Sequence, residues 1–276
     1  MRMSDDHDKN LEKALGLVEK AAKRGARIIC LPELYRTQYF PQKKRGSQLP
    51  YHETIPGEST RAFAHTARRH GVAIIVPIYE HAKSGRLYNS AAVINERGRL
   101  LTTYRKVHIP HDQNFWEKDY FTSGSTYRIY RTSFAKFAVL ICYDQWFPEA
   151  ARSVALRGAE IIFYPTAIGR IVPRMERDSD WKDAWETAMR GQAITNAVHV
   201  AAVNRVGKEG RIAFWGGSFI ADSFGVVLRR ASQGREEVLV QGINLDRNVI
   251  IREGWEFFRN RRPETYRSLV KKTRRS

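Results

Sequence analysis

Residues 137–141, Phe-Ala-Val-Leu-Ile, form an uninterrupted apolar run of strand length, and the chain leaves it at Cys142 before Pro148 and Glu149 open an amphipathic helix. Such a run reads as a strand buried on both faces, which demands a layer of structure on each side. The same rhythm recurs along the chain. A helical stripe of Leu11, Ala14, Leu15, Val18 and Ala22 is closed by Gly25 and followed by a strand at 27–31. A helix over 59–69, capped by Ser59 and closed by Gly71, leads into a strand at 72–79. A helix over 148–157 stops at Gly158, and a strand follows at 160–164. A long helix over 181–197 precedes a strand at 199–203. Hairpins are expected between 90–94 and 99–104, and between 218–221 and 225–228, with a further strand at 237–243. Helices alternating with buried strands specify an α/β layered fold. No linker or low-complexity segment interrupts the 276 residues, so one domain is expected over 1–276, with a basic tail at about 259–276.

Composition removes several function classes. A hydrophobic fraction of 42% supports a sizeable core, yet no uncharged apolar run approaches the ~20 residues of a membrane helix. The start, Met-Arg-Met-Ser-Asp-Asp-His-Asp, has no apolar signal-peptide segment. Cys30 and Cys142 both sit in apolar runs, and two cysteines in a chain this long make neither a disulfide framework nor a metal-ligand cluster. A cytoplasmic location follows. The formal net charge of +18 raises nucleic acid as a partner. Its distribution argues otherwise: Arg259 to Ser276 hold eight Lys/Arg and one Glu, and the remaining excess is scattered over helices, as in Lys13, Lys20, Lys23 and Arg24. No specific nucleic acid and no membrane partner is expected, although weak binding to polyanions follows from the charge alone.

Three ionisable residues lie just past the ends of strands. Glu33 follows the first strand in Leu-Pro-Glu-Leu, Lys106 follows 100–104 in Tyr-Arg-Lys-Val-His, and Cys142 follows 137–141. Loops beyond strand C-termini line the ligand crevice of α/β folds. Singly, each residue has an ordinary reading: a surface Glu, a surface Lys, a small buried Cys. Together they supply a base, a cation and a nucleophile, the parts that acyl transfer from an amide requires.

In this order and in these settings the residues resemble the Glu–Lys–Cys triad of the carbon–nitrogen hydrolases of the nitrilase superfamily. A second glutamate of that family matches Glu117 in Phe-Trp-Glu-Lys-Asp-Tyr-Phe. The resemblance runs from about Leu11 to Tyr266. Longer segments are similar to the members that hydrolyse N-carbamoylputrescine: Leu-Tyr-Arg-Thr-Gln-Tyr-Phe at 34–40, Tyr-Arg-Lys-Val-His-Ile-Pro at 104–110 and Asp-Gln-Trp-Phe-Pro-Glu-Ala-Ala-Arg at 144–152. Phe-Tyr-Pro-Thr-Ala-Ile-Gly at 163–169 and Trp-Glu-Phe-Phe-Arg-Asn-Arg-Arg-Pro-Glu-Thr-Tyr at 255–266 extend the likeness.

The resemblance implies a four-layer αββα sandwich that forms a homodimer or a larger homo-oligomer. It implies a small amide or ureido substrate and calls for no metal and no organic cofactor. By the same likeness Glu33 acts as general base, Cys142 as nucleophile and Glu117 orients Lys106 or the leaving group, while Lys106 and the Tyr143 N–H form the oxyanion hole. Lys106 is expected to lower the Cys142 pKa. Tyr39, Trp116, Asp144 and Trp146, with Asp112 and Asp119, are candidates to hold a cationic substrate tail. A carboxylate tail, as in N-carbamoyl-β-alanine, calls for an arginine such as Arg152 or Arg170; an ω-amide is the other alternative. Two departures stand out. The family's first strand has no match ahead of Met1: either the true start lies upstream, or the sheet has lost a strand, which would expose a neighbour's unpaired edge. Tyr143 stands where related members mostly carry Trp, which alters pocket shape but not a backbone donor.

Overall fold

The computed structural model describes residues 1–47, 49–173 and 181–271. Helix α1 (His7–Lys23) starts at Asp6, whose carboxylate accepts from the N–H groups of Asp8 and Lys9. Helix α2 (Glu58–His70) is capped by Gly57, whose N–H donates to Thr60 Oγ1, and not by Ser59. Ser59 is turned inward instead, donating to Glu53 Oε1 at 2.5 Å. The helix ends at Gly71 with φ +62°, a left-handed turn that costs glycine little.

The first sheet contains β1 (Ile28–Cys30), β2 (Ala73–His81), β3 (Leu87–Ile94) and β4 (Tyr104–Arg105) in that spatial order; β1 and β2 are parallel and the rest antiparallel. The second contains β5 (Tyr130–Arg131), β6 (Lys136–Val139) and β7 (Ile161–Thr166), then, beyond an insertion, β9 (His199–Asn204), β12 (Phe219–Ala221) and β13 (Val227–Arg230). Its middle strands β6, β7 and β9 are parallel. Helices α3 (Pro148–Leu156) and α4 (Trp181–Asn196) belong to this half, and α5 (Asp246–Trp255) follows it.

Side-chain parity along β2 and β3 sorts the layers. Ile74, Val76, Ile78, Ala92 and Ile94 pack with Val18, Phe63 and Ala67 of α1 and α2. Ile75, Ala91 and Val93 share a second core with Phe137, Val139, Ile162 and Val200 of the other sheet. Ala151, Val154, Trp185 and Met189 of α3 and α4 join that core. The order is helix, sheet, sheet, helix: the α/β sandwich that the alternation and the resemblance implied. Complete burial of Phe63 and Ile74 stabilises it by about 1.5–3 kcal/mol each.

Local pattern found some pairings and missed others. The hairpin expected around residues 96–98 is present, with Ile94 bridging Leu100 and Ser90 and Ala91 of β3 pairing with Arg105 and Tyr104 of β4, while the longer partner of β3 is β2, joined through a turn at 82–86. Residues 237–243 form no strand. Arg24 and Arg229 side chains donate to the Val238 and Val240 carbonyls at 2.7 and 3.2 Å, and an apolar trough separates residues 237–239 from β1. β1 is the end strand of its sheet, and Met1 and Met3 are buried as coil, with Met1 O accepting from Val206 N–H. A third sheet, formed by β8 (Gly169–Ile171), β10 (Val206–Glu209) and β11 (Ile212–Trp215), was not foreseen. Of the basic tail, 259–271 contains two short 3-10 turns, and 272–276 lie outside the described residues.

Candidate active site

Three strand ends meet between the two sheets. Glu33 lies three residues past β1, Lys106 directly follows β4, and Cys142 lies three residues past β6. The apolar run that suggested β6 holds its register one residue further, since Leu140 N–H still donates to Phe163 O at 3.0 Å. Lys106 is completely buried, and its Nζ donates to Glu33 Oε1 at 2.9 Å and to Glu117 Oε2 at 2.6 Å. Asn89 Nδ2 donates to the same oxygen of Glu33 at 2.7 Å, and the Tyr39 hydroxyl donates to Glu117 Oε1 at 2.7 Å. Glu33 Oε2 is buried with no hydrogen-bond partner. A buried carboxylate oxygen that no protein group satisfies is costly, and it is the atom free to accept a proton.

Cys142 opens a 3-10 turn over Cys142–Trp146 with φ +43°. A non-glycine residue in the left-handed region is uncommon, and such residues concentrate at functional sites. The turn gives the thiol a sharp exit from the sheet, as strand-to-helix elbows do for nucleophiles. Tyr143 is the second residue of the turn, where a helix start leaves the N–H without an intrahelical acceptor.

Burial governs the titration of the cluster. It pushes the Cys142 thiol well up, Glu33 and Glu117 push it further, and Lys106 and a backbone hydrogen bond from Ala167 pull against them. Lys106 thus acts on the thiol in the expected direction, but one ammonium is outweighed by burial and two carboxylates, and the net shift is upward. Burial also opposes the charge on Lys106, but Glu117, Glu33 and the thiolate outweigh it and the net shift is upward. Glu117 is pushed up to about 7, chiefly by burial and then by Glu33, against the pull of Lys106. The resting site therefore holds a charged lysine, a protonated thiol and, at Glu117, a carboxyl group that binds a proton near neutrality.

A cavity of about 480 Å³ opens over Cys142. Tyr39, Tyr143 and Trp146 line it, as do Phe115 and Trp181, with His111, Asp112 and Glu117 as its ionisable groups. No lysine or arginine is among the described residues of this lining. Tyr39 is nearly inaccessible and belongs to the carboxylate cluster through its hydroxyl. Trp116 does not line the cavity; it packs edge-on to His111 and under Lys44 Nζ. Asp144, expected to contact substrate, is completely buried behind the elbow and absent from the lining, because four donors from the surrounding chain claim its oxygens. Asp119 faces His111 at 3.8 Å. Arg152 donates to Thr195 O and lies over Phe258, in a different cavity beside α3, and Arg170 is exposed on β8.

Sequence reasoning missed Arg205 and Glu209. Arg205 is completely buried, pairs with Glu209 at 2.9 Å, and donates to the carbonyls of Glu33, Leu34 and Thr37. Glu209 in turn accepts from Tyr39 N–H at 2.6 Å. The signal was present: Arg205 also follows an apolar strand. Gln145 was missed as well; it lines the cavity, its Oε1 accepts from Trp185 Nε1, and its Nε2 is a buried donor with no partner.

Residues 1–250 match the family model for carbon–nitrogen hydrolases. An N-carbamoylputrescine amidase of Solanum lycopersicum is 40% identical over 97% of this chain and 91% of its own. A citrullinase of Francisella tularensis is 37% identical over 99% of this chain and 96% of its own. The crystal structure of a carbon–nitrogen hydrolase from Helicobacter pylori G27 superposes with a TM-score of 0.93 at 36% identity, over 98% of this chain and 96% of that one.

Proposed function

Because the chain belongs to the carbon–nitrogen hydrolase family and is an enzyme acting on amide or ureido carbon–nitrogen bonds, we propose that it hydrolyses N-carbamoylputrescine to putrescine, ammonia and carbon dioxide through a thiocarbamoyl intermediate on Cys142. The observation that carries this reading is the buried Lys106, bridging Glu33 and Glu117 while Glu33 Oε2 stays bare.

Glu33 accepts the thiol proton as sulfur attacks the ureido carbon, which suits a thiol whose pKa burial holds high. Two of the three Lys106 N–H donors are engaged by the glutamates, which leaves one for the developing oxyanion beside the Tyr143 N–H. One such donor is worth ~3 kcal/mol of barrier. The carbon–nitrogen bond to the terminal NH2 breaks, and Glu33 returns its proton so that ammonia departs. Glu33 then takes a proton from water, whose oxygen attacks the thiocarbamoyl carbon. The carbon–sulfur bond breaks, the thiol regains a proton, and the released carbamate decomposes to the amine and carbon dioxide. Glu117 holds Lys106 in place.

A cationic tail is supported by a carboxylate at Asp112, aromatic faces at Tyr143 and Trp146, and no lysine or arginine among the described residues of the lining. The alternatives are an N-carbamoyl amino acid such as N-carbamoyl-β-alanine, or an ω-amide. The relative named citrullinase favours keeping a ureido amino acid among the trial substrates. We further propose a cytoplasmic enzyme of polyamine synthesis; both cysteines are free and no helix among the described residues is long and apolar enough to cross a membrane. It forms a homo-oligomer, for which exposed Leu156, Val249, Ile250, Trp255 and Leu269 offer apolar surface. Ammonia release from N-carbamoylputrescine, N-carbamoyl-β-alanine, citrulline and a simple ω-amide tests the reading, with Cys142→Ala as control. Preference for the carbamoylated diamine, lost in the variant, is expected; activity surviving in Cys142→Ala overturns the mechanism, and preference for a carboxylate overturns the substrate.

A further inference from the structure

The Asp144 carboxylate holds together the two segments that bear the cation and the thiol. Its Oδ2 accepts from the Tyr104 hydroxyl at 2.6 Å and from Ile141 N–H at 2.9 Å. Its Oδ1 accepts from His108 N–H at 3.0 Å and from His108 Nδ1 at 2.7 Å. Tyr104 and His108 lie two residues either side of Lys106, and Ile141 immediately precedes Cys142. The His108 ring also lies flat on Phe147, with centroids 3.6 Å apart and planes 5° apart, so the end of the same elbow grips it a second time.

All four groups facing Asp144 act as donors. Two are backbone N–H groups, one on each oxygen, and these cannot reverse. An asparagine in the same place must turn its NH2 toward one of them whichever way it is flipped. Tyr104 and the His108 ring can change role to suit an amide, but Ile141 N–H and His108 N–H cannot. Only a carboxylate satisfies the arrangement.

We infer that Asp144 is a positioning residue, fixing Lys106 against the Cys142 elbow by gripping the chain on both sides of the lysine and just ahead of the thiol. The inference rests on the proposed roles of Cys142 and Lys106, and it assigns Asp144 no contact with substrate. Three ionisable groups act on the thiol: Glu33 and Glu117 disfavour the thiolate and Lys106 favours it. Loosening Lys106 therefore removes the one favourable charge.

The test compares Asp144→Asn, His108→Ala and Tyr104→Phe in a Cys30→Ser background, so that Cys142 alone reports. For each, kcat and KM for ammonia release are measured, with the pH profile of Cys142 alkylation by iodoacetamide. Asp144→Asn is expected to lower kcat by at least about 100-fold, a loss of the size seen when one transition-state donor is removed. KM should stay within about threefold, and the alkylation profile should move to higher pH by roughly one unit as the thiol loses its cation. His108→Ala shifts both quantities in the same direction by less, and adds nothing in the Asp144→Asn background. An Asp144→Asn enzyme with unchanged kcat and alkylation profile overturns the inference, as does a change confined to KM, which would make Asp144 a substrate contact. If Asp144→Asn fails to fold, His108→Ala and Tyr104→Phe decide; unmoved alkylation profiles in both overturn it. Wild-type protein that hydrolyses none of the amides overturns the proposed function, and the alkylation profiles still judge Asp144.

Discussion

Arg205 Nη2 donates to the main-chain carbonyl of Glu33 at 2.5 Å, across 172 residues of sequence. The arginine emerges from β9 in the second sheet, and the carbonyl it holds belongs to the residue that bears the proposed base, beyond β1 in the first. The same guanidinium holds Leu34 O at 3.0 Å and Thr37 O at 3.2 Å, so the loop carrying Glu33 and Tyr39 is set from the opposite side of the sandwich. Its position is therefore as rigid as the contact between the sheets.

Arg205→Met should be among the most damaging substitutions away from the thiol. It leaves Glu209 buried with its charge unpaired, which costs about 3–5 kcal/mol when one member of a buried pair is removed. Urea unfolding should report that loss, and Arg205→Met/Glu209→Gln should regain part of it. Ammonia release should stay low in the double variant, since the Glu33 loop remains untethered.

Cys142→Ala should reduce ammonia release by about 10⁵–10⁶-fold, the loss expected when a covalent nucleophile is removed. The melting temperature should stay within about 4 °C of wild type, since trading a buried thiol for a methyl costs ~1 kcal/mol. A larger fall in melting temperature would mean that the thiol also supports the elbow.

Lys106→Met keeps the length of the side chain and removes its charge. Glu33 and Glu117 then face each other buried without a cation, and one of them must hold a proton. Turnover should fall by roughly 10²–10³-fold in kcat, and stability should fall most steeply above neutral pH. Steady-state kinetics and melting curves at pH 6 and pH 8 check both outcomes.

Glu117 makes a stability prediction with a definite sign. Its folded pKa is raised from 4.5 to about 7, so between those values the folded protein binds a proton that the unfolded chain has released. The stabilisation is fully present below the unfolded pKa and is lost as pH rises through the folded one. Glu117→Gln removes this contribution and should flatten the fall in melting temperature between about pH 4.5 and pH 7. Paired melts of both proteins across that range give the comparison.

Asp112→Asn tests the reading of the cavity mouth. With a cationic substrate KM should rise roughly two- to fivefold, the size of an exposed ion pair, and kcat should not change. With a neutral ω-amide neither constant should move. Added salt should shrink the difference, since an exposed pair is screened.

Glu33, Lys106 and Cys142 were legible as a group because each stands just past a short apolar run, and a strand end is a local signal carried by neighbouring residues. The helices were legible for the same reason: the stripe of α1 and the stop at Gly71 depend on residues within a turn or two. Pairings were legible only in part. The pairing of β3 with β4 followed from the turn at 96–98, but its longer pairing with β2 did not, and residues 237–243 look like a strand yet pair with none. Hydrogen-bonded partners are chosen by the whole sheet, and propensity carries no address for them.

Asp144 marks the boundary most clearly. Next to a proposed nucleophile in sequence, a carboxylate looks like a substrate contact; two residues along a tight turn it points the other way, into the donors of Tyr104, Ile141 and His108. The amino-acid sequence alone determined the alternation of helices and buried strands, and which ionisable side chains stand at their ends, because both are set by neighbours along the chain. Tertiary structure alone decided that Lys106 bridges Glu33 and Glu117, that Arg205 holds the Glu33 loop and that burial raises the Cys142 pKa. Those outcomes depend on distance and on the exclusion of water, and both arise only when the two sheets close on each other.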